Sequence, residues 1–302
     1  MTRTARYVTR ELSALLLLVV TSPLALAETN FDRGLLWRVE REGLPPSFVF
    51  GTVHVTDERV LDVPKPVTGA LAQSKTAVFE LIVTPELQAE LAGAMMFTDG
   101  TSLKQLTGEE LFATTSDVAA TYGLIPSVLN LIKPWALIAM FSAPPEETQR
   151  QALGHPMLDA WLQDEARRQN KKLLALEEPH EQIAALEGLE LDHQLELLRA
   201  TVENKADVDR MFANTLDLYL DRDLAGLQQL TQDEMAAGVG SDVLDDFNQN
   251  LIISRNDTMA ERLLPLMKDG GVFVAVGALH LPGDNGLLNQ LADAGYDVTV
   301  VY

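Results

Sequence analysis

Gly271-Val272-Phe273-Val274-Ala275-Val276-Gly277-Ala278-Leu279-His280 is the stretch on which the fold turns. Its apolar part has no polar alternation, so it reads as a strand buried on both faces. A glycine follows and lets the chain leave the sheet sharply. A histidine stands three residues beyond that glycine. The same grammar occurs near the other end of the chain. Ser47-Phe48-Val49-Phe50 runs into Gly51-Thr52-Val53-His54. At this composition roughly 0.3 Gly-x-x-His matches are expected by chance, so two in matching contexts point to one shared site.

Working outward, Leu35 to Glu40 alternates as a strand, and Gly43 to Pro46 is a turn. Pro64 to Ser74 reads as a short helix. Thr76-Ala77-Val78-Phe79 is a buried strand ending at Glu80, and Pro85 opens a helix. From Thr107 to about Lys268 apolar residues recur at three- and four-residue steps, the helical period. One strand, Lys172 to Leu176, interrupts that region and ends at Glu177. Asp284 is expected to cap a last helix that runs to Ala294, where Gly295 stops it, and Asp297 to Tyr302 closes as a strand. Strands alternating with helices predict an α/β fold. The central sheet should be mostly parallel or mixed, built from N- and C-terminal strands around a large helical middle insertion. No linker or repeat divides residues 28–302, which read as a single domain.

The first residues read as an address. Arg3, Arg6 and Arg10 precede the apolar run Ser13–Val20, Pro23 breaks it, and Ala25-Leu26-Ala27 is a small-x-small cleavage site. The run is shorter than the ~20 residues that span a bilayer, so residues 1–27 are expected to be a signal peptide and the mature protein periplasmic or secreted, with no stable membrane anchor. The chain has no cysteine, which excludes disulfides, thiolate metal sites and a cysteine nucleophile. Its net charge is −21, and that repels a phosphate backbone, so nucleic acid is not an expected partner. A peptide or small-molecule substrate is.

Four side chains share one context. His54, Glu80, Glu177 and His280 each stand at or just past the C-terminal end of a predicted strand, the edge where open α/β sheets bind ligands. Two histidines and a glutamate form a ligand set of the kind catalytic zinc sites use, and the same donors suit manganese or cobalt. Bound water would become a nucleophile near neutral pH. A metal-free site, with histidine as general base and Arg255 facing negative charge, stays open, as does a non-catalytic cleft. His-Glu-x-x-His and Gly-x-Ser-x-Gly are both absent. His155 reads as a loop residue, His180 as part of an acidic helix start and His193 as a helix-face residue. Asn256 reads most simply as a helix cap and Arg255 as a surface charge.

In order along the chain stand Phe50-Gly51-Thr52-Val53-His54, Val78-Phe79-Glu80-Leu81 and Lys133-Pro134-Trp135. Leu176-Glu177 with Glu181-Gln182, Arg255-Asn256 and Val276-Gly277-Ala278-Leu279-His280-Leu281-Pro282-Gly283 follow. These segments resemble the ordered motifs of the TraB/GumN family, which includes the animal Tiki metal-dependent peptidases. Asp159 matches a family aspartate normally preceded by Gly-x, although Met157 takes the glycine's place here. The resemblance implies a metal-dependent, peptidase-like hydrolase. Its expected metal ligands are His54, Glu80 and His280, for a divalent ion (Mn, Co or Zn). Glu177 is the expected acid/base and Arg255 the oxyanion or carboxylate partner, with Gly51, Gly277, Asn256 and Asp159 in support. The alternative on the same fold is an envelope protein that binds haem or a saccharide without turnover.

Overall fold

The structure is a computed structural model that describes residues 31–302. The signal-peptide reading of residues 1–27 therefore lies outside the described residues. Six strands form one sheet: β1 (Leu36–Glu40), β2 (Ser47–Thr52), β3 (Thr76–Phe79), β4 (Lys172–Ala175), β5 (Val272–Gly277) and β6 (Asp297–Val300). The order across the sheet is β4-β3-β5-β2-β1-β6. The four strands β4, β3, β5 and β2 are mutually parallel, and β1 runs antiparallel to both β2 and β6. This is the expected α/β architecture, a mixed sheet assembled from both ends of the chain with a helical middle.

The strand quoted first takes a central place. β5 inserts between β2 and β3, pairing Phe48 with Phe273 on one side and Ala77 with Phe273 on the other. Val272 to Val276 are all buried, as a strand covered on both faces requires. β4, at the edge, is only half-buried despite its apolar sequence. The insertion has one consequence for chemistry. Thr52 lies beside Gly277, and Phe79 lies beside Ala275, so three C-terminal strand ends open on one edge.

Two main apolar clusters fill most of the interior, beside a small third one at Leu189, Leu197 and Val243. The larger one covers the sheet with helices that include Lys65–Gln73, Leu158–Arg168 and Ser254–Met267. The other is wholly helical and packs Leu103, Trp135, Phe141 and Leu198. The Lys133-Pro134-Trp135 segment belongs to this second cluster, where Pro134 starts the helix Pro134–Phe141. Among the described residues, no helix is long and apolar enough to cross a membrane.

Two local expectations need correction. Asp284 caps nothing, because the last helix is Leu287–Asp293 with Gly286 at its N-cap. The turn begins earlier, at Gly283, whose φ of +80° glycine adopts without strain. Arg255-Asn256 does not sit at a break between helices. The helix Ser241–Asn248 passes through a π turn, Gln249–Ile253, into Ser254–Met267 without interruption. Asn256 is therefore no cap but a buried residue inside a helix, 1% exposed.

Candidate active site at the carboxyl edge of the sheet

The two Gly-x-x-His segments pack directly on each other. A Cβ on Gly51 would lie 2.9 Å from Leu281 and 3.1 Å from the Ala278 backbone, so this crossing requires glycine. The Tyr219 hydroxyl, from the helix Lys205–Leu220, donates to the Gly51 carbonyl at 2.9 Å and ties that helix to the crossing.

Each imidazole is fixed from behind. His54 Nδ1 lies 2.8 Å from Asp159 Oδ2, and the other Asp159 oxygen accepts from the Thr52 hydroxyl at 2.7 Å. His280 Nδ1 lies 2.7 Å from Asn256 Oδ1. The orientation of that amide is set independently, because its Nδ2 donates to the Asn285 carbonyl at 2.8 Å. An amide oxygen can only accept, so His280 Nδ1 carries the proton and its Nε2 presents a lone pair. This is the arrangement in which metal-binding histidines are usually held, with the far nitrogen bonded to a carboxylate or carbonyl.

Glu80 and Glu177 are nearly buried, at 9% and 2% exposure. Arg255 joins them. Its Nε and Nη2 bond the two oxygens of Glu177 at 2.8 Å each, Nη2 also reaches Glu80 Oε2 at 2.9 Å, and Nη1 donates to the Leu251 carbonyl at 3.2 Å. Gln182 donates to Glu177 Oε2 at 2.9 Å and to Glu80 Oε2 at 3.3 Å. Glu80 Oε1 accepts the Gly277 N–H at 2.5 Å and stands 3.9 Å from His280 Nε2.

The titration of these groups follows from their partners. For Glu80, burial works to raise the pKa, but His280, His54, Arg255 and the Gly277 N–H outweigh it and bring it down to about 2. Burial dominates at His280 and lowers it to about 4, so this ring is neutral at neutral pH. Asp159 raises His54 to about 9. The His54 side chain is still 58% exposed, so water screens the attraction; the upward direction stands on the short contact with Asp159. Removing that carboxylate charge tests the cause. In Asp159→Asn the His54 pKa should fall from about 9 toward the ordinary 6.5, followed by NMR titration of the metal-free protein. An unchanged value would assign the shift to other groups.

The focus of the site is the space over Gly277. A Cβ placed there would lie 3.2 Å from Glu80 Oε1, 3.4 Å from the His280 ring and 3.9 Å from His54 Nε2. Its φ of −52° is open to any residue, so the glycine is needed here for room and not for backbone freedom. Two imidazoles and a carboxylate border this space, and that donor chemistry suits a divalent cation. Among the described residues, no group of three His, Asp or Glu side chains stands close enough to hold an ion without adjustment. His280 Nε2 and Glu80 Oε1 are somewhat wider apart than the ~3.4 Å that two ligands of one tetrahedral ion keep.

The structure thus brings together His54, Glu80, Glu177, His280, Arg255, Asn256 and Asp159, with Gly51 and Gly277 at the crossing. Glu177 meets Arg255 and Gln182, and it is not among the three nearest contacts of a Cβ on Gly277. His193 is elsewhere, with Nδ1 bonded to Asp246 at 2.8 Å. Gln182 and Tyr219 join the site with no role foreseen for them. Gln182 lies in the first turns of the helix Pro179–Glu187, five residues past Glu177, and its amide returns to that carboxylate. Tyr219 carries no signal beyond an aromatic on a buried helix face.

The parallel edge of the sheet thus bears two anchored histidines and an arginine-bound carboxylate pair. The chain belongs to the TraB/PrgY/gumN family, whose model matches residues 35–300. It is 28% identical to the protein named metalloprotease TIKI2 of Xenopus tropicalis, over 93% of this chain and 62% of that protein. It is 27% identical to metalloprotease TIKI1 of the same frog, covering 87% and 60%, and 26% identical to metalloprotease TIKI1 of Homo sapiens, covering 87% and 61%. The chain spans about three fifths of the length of these relatives. No solved structure matches it.

Proposed function

We propose that this chain is an exported, metal-dependent hydrolase acting on peptides. The observation that carries the reading is the convergence of His54 Nε2, His280 and Glu80 Oε1 on the side-chain-free space over Gly277. The name that these relatives carry, metalloprotease, supports it.

In this reading His54, His280 and Glu80 hold the ion, which supplies a Lewis acid for the scissile carbonyl and an acidified water. Asp159 and Asn256 hold the two rings so that Nε2 faces inward. Arg255 keeps Glu80 ionised, and Glu177 with Gln182 keeps Arg255 in place. The hydrolysis joins the water oxygen to the carbonyl carbon, breaks the C–N bond and leaves the departing nitrogen protonated.

Metal content after dialysis, together with peptide cleavage, tests the reading. Wild type should retain about one Mn, Co or Zn ion and cleave a mixed peptide pool. His54→Ala and His280→Ala should retain none and lose cleavage. Equal metal in all three proteins would mean that the acidic surface binds the ion without geometry, and the site would then be a metal-free or purely binding cleft.

Export rests on Arg3, Arg6, Arg10, the run Ser13–Val20 and Ala25-Leu26-Ala27. N-terminal sequencing of periplasmic protein should begin at Glu28. Mature protein that starts at Met1 in the cytoplasm would end this part of the proposal.

A further inference from the structure

Beside the two imidazoles the structure holds a cavity of about 180 Å³. Its walls come from five separate segments of the chain. Val53 and Leu279 belong to the Gly-x-x-His segments, Tyr219 to the helix Lys205–Leu220, and Leu227 and Thr231 to the helix Leu224–Gly238. Ile252 closes it from the π turn that precedes Arg255. Apart from the imidazoles, no lining side chain carries a charge.

The polar atoms in these walls are largely satisfied within the protein. Thr231 donates its hydroxyl to the Leu227 carbonyl at 3.0 Å, and the Tyr219 hydroxyl is committed to Gly51. Arg255, the cation of the site, is engaged by Glu80, Glu177 and the Leu251 carbonyl, so it is not free to meet an anion in the cavity. An apolar cavity of roughly 150 Å³ accommodates a benzene molecule. This one therefore has room for one leucine- or phenylalanine-sized group.

We infer that this cavity is the specificity pocket of the enzyme, taking one uncharged apolar side chain, of leucine size, from the residue adjoining the scissile peptide bond. The inference rests on the peptidase reading for its substrate class. It follows from continuity: the same space is bounded by His54, Gly277 and His280, so a carbonyl over Gly277 places its neighbouring side chain against Ile252, Thr231 and Tyr219. Burying a leucine side chain favours binding by enough to raise kcat/KM about tenfold to a hundredfold over glycine. A carboxylate seated against Leu227, Thr231 and Ile252 would lose its water where no Lys or Arg lines the wall, so acidic residues are disfavoured. The π turn gains a reason in this arrangement. The turn carries Ile252 at the pocket and leads directly into the helix whose first turn carries Arg255 to the carboxylates, and such turns recur at functional sites.

The experiment uses the mature chain supplied in turn with manganese, cobalt and zinc. The substrates are capped pentapeptides that differ only at one central position, Gly, Ala, Leu, Phe or Asp, with cleavage mapped by mass spectrometry. Binding of the same peptides to Glu80→Gln is measured in parallel by calorimetry. Cleavage next to Leu should exceed Gly by ten- to a hundredfold, and Asp should be the poorest. Ile252→Trp narrows the pocket and should cut the Leu-to-Ala ratio about tenfold. Ile252→Ala widens it and should move the optimum from Leu toward Phe, so either variant tests the pocket if the other does not fold. Equal kcat/KM across the wild-type series overturns the pocket and leaves the peptidase reading standing. Absent cleavage with leucine-selective binding supports the pocket as a binding site and overturns the peptidase reading. Absent cleavage with unselective binding overturns both.

Discussion

Arg255→Ala should unfold at a markedly lower denaturant midpoint, with stability reduced by about 3–5 kcal/mol, the usual cost of stranding a buried charge. Two carboxylates depend on this one guanidinium. Glu177 is 1% exposed at its side chain and Glu80 10%, while Arg255 itself is 18% exposed. Without Arg255, Glu177 keeps only Gln182, and Glu80 keeps Gln182 and the Gly277 N–H. The melting temperature should fall by on the order of 10 °C for a domain of this size. Metal-free protein is the right sample, since an ion would supply the missing positive charge. Arg255→Lys should fall between, because an ammonium lacks the planar fork that meets both oxygens of Glu177. A shift below about 1 kcal/mol would mean that water reaches both carboxylates in solution.

The pH dependence has a definite sign. Glu80 titrates at about 2 in the folded protein against an ordinary 4.5, so its folded pKa is depressed. Its contribution to stability is therefore fully present above about 4.5 and is lost as the pH falls toward 2. In Arg255→Ala burial is less opposed, so acid should cost this variant less additional stability than wild type.

Under the proposed function, Glu80→Gln should abolish most hydrolysis, and its NH2 should also loosen the contacts that Arg255 and Gln182 make to Oε2. The amide keeps an oxygen for the Gly277 N–H and removes the negative charge from the space shared with His280 and His54. Turnover of peptides should fall on the order of 100- to 10,000-fold, the range typical for loss of a group that handles charge or protons at the reacting centre. Glu177→Gln is the informative contrast. Arg255 and Gln182 engage both Glu177 oxygens, so its effect should reach catalysis only through the placement of Arg255. It should lower stability more than it lowers kcat. Retention of more than a tenth of wild-type kcat in Glu80→Gln would remove Glu80 from the chemistry.

Much of this arrangement was legible in local sequence. The unbroken apolar run Val272–Val276 demanded a strand covered on both faces, and its glycine and histidine marked where the chain leaves the sheet. Which strands would flank it was not legible, because pairing depends on residues some two hundred positions away. Asn256 shows the limit at a finer scale. Asn before a helical run looks like a cap, yet a π turn carries the helix past it and directs its amide to His280. Tyr219 and Ile252 sit among many apolar residues of the helical middle, and spacing alone does not distinguish a pocket wall from core. Asp159 was reached through family resemblance, since an acidic residue in the first turn of a helix has an ordinary electrostatic explanation.

The placement of β5 sets an order of events during biogenesis. Gly277 bonds Glu80 across 197 residues of sequence, and Val272 bonds Ser47 across 225. Contacts of such separation form late, because the intervening chain loses loop entropy before they return any stability. A nascent polypeptide that has presented His54 and Glu80 still lacks its second imidazole until the last strands are synthesised and seated. The site described above is thus incomplete until nearly all of these residues have been synthesised and β5 is seated between β2 and β3.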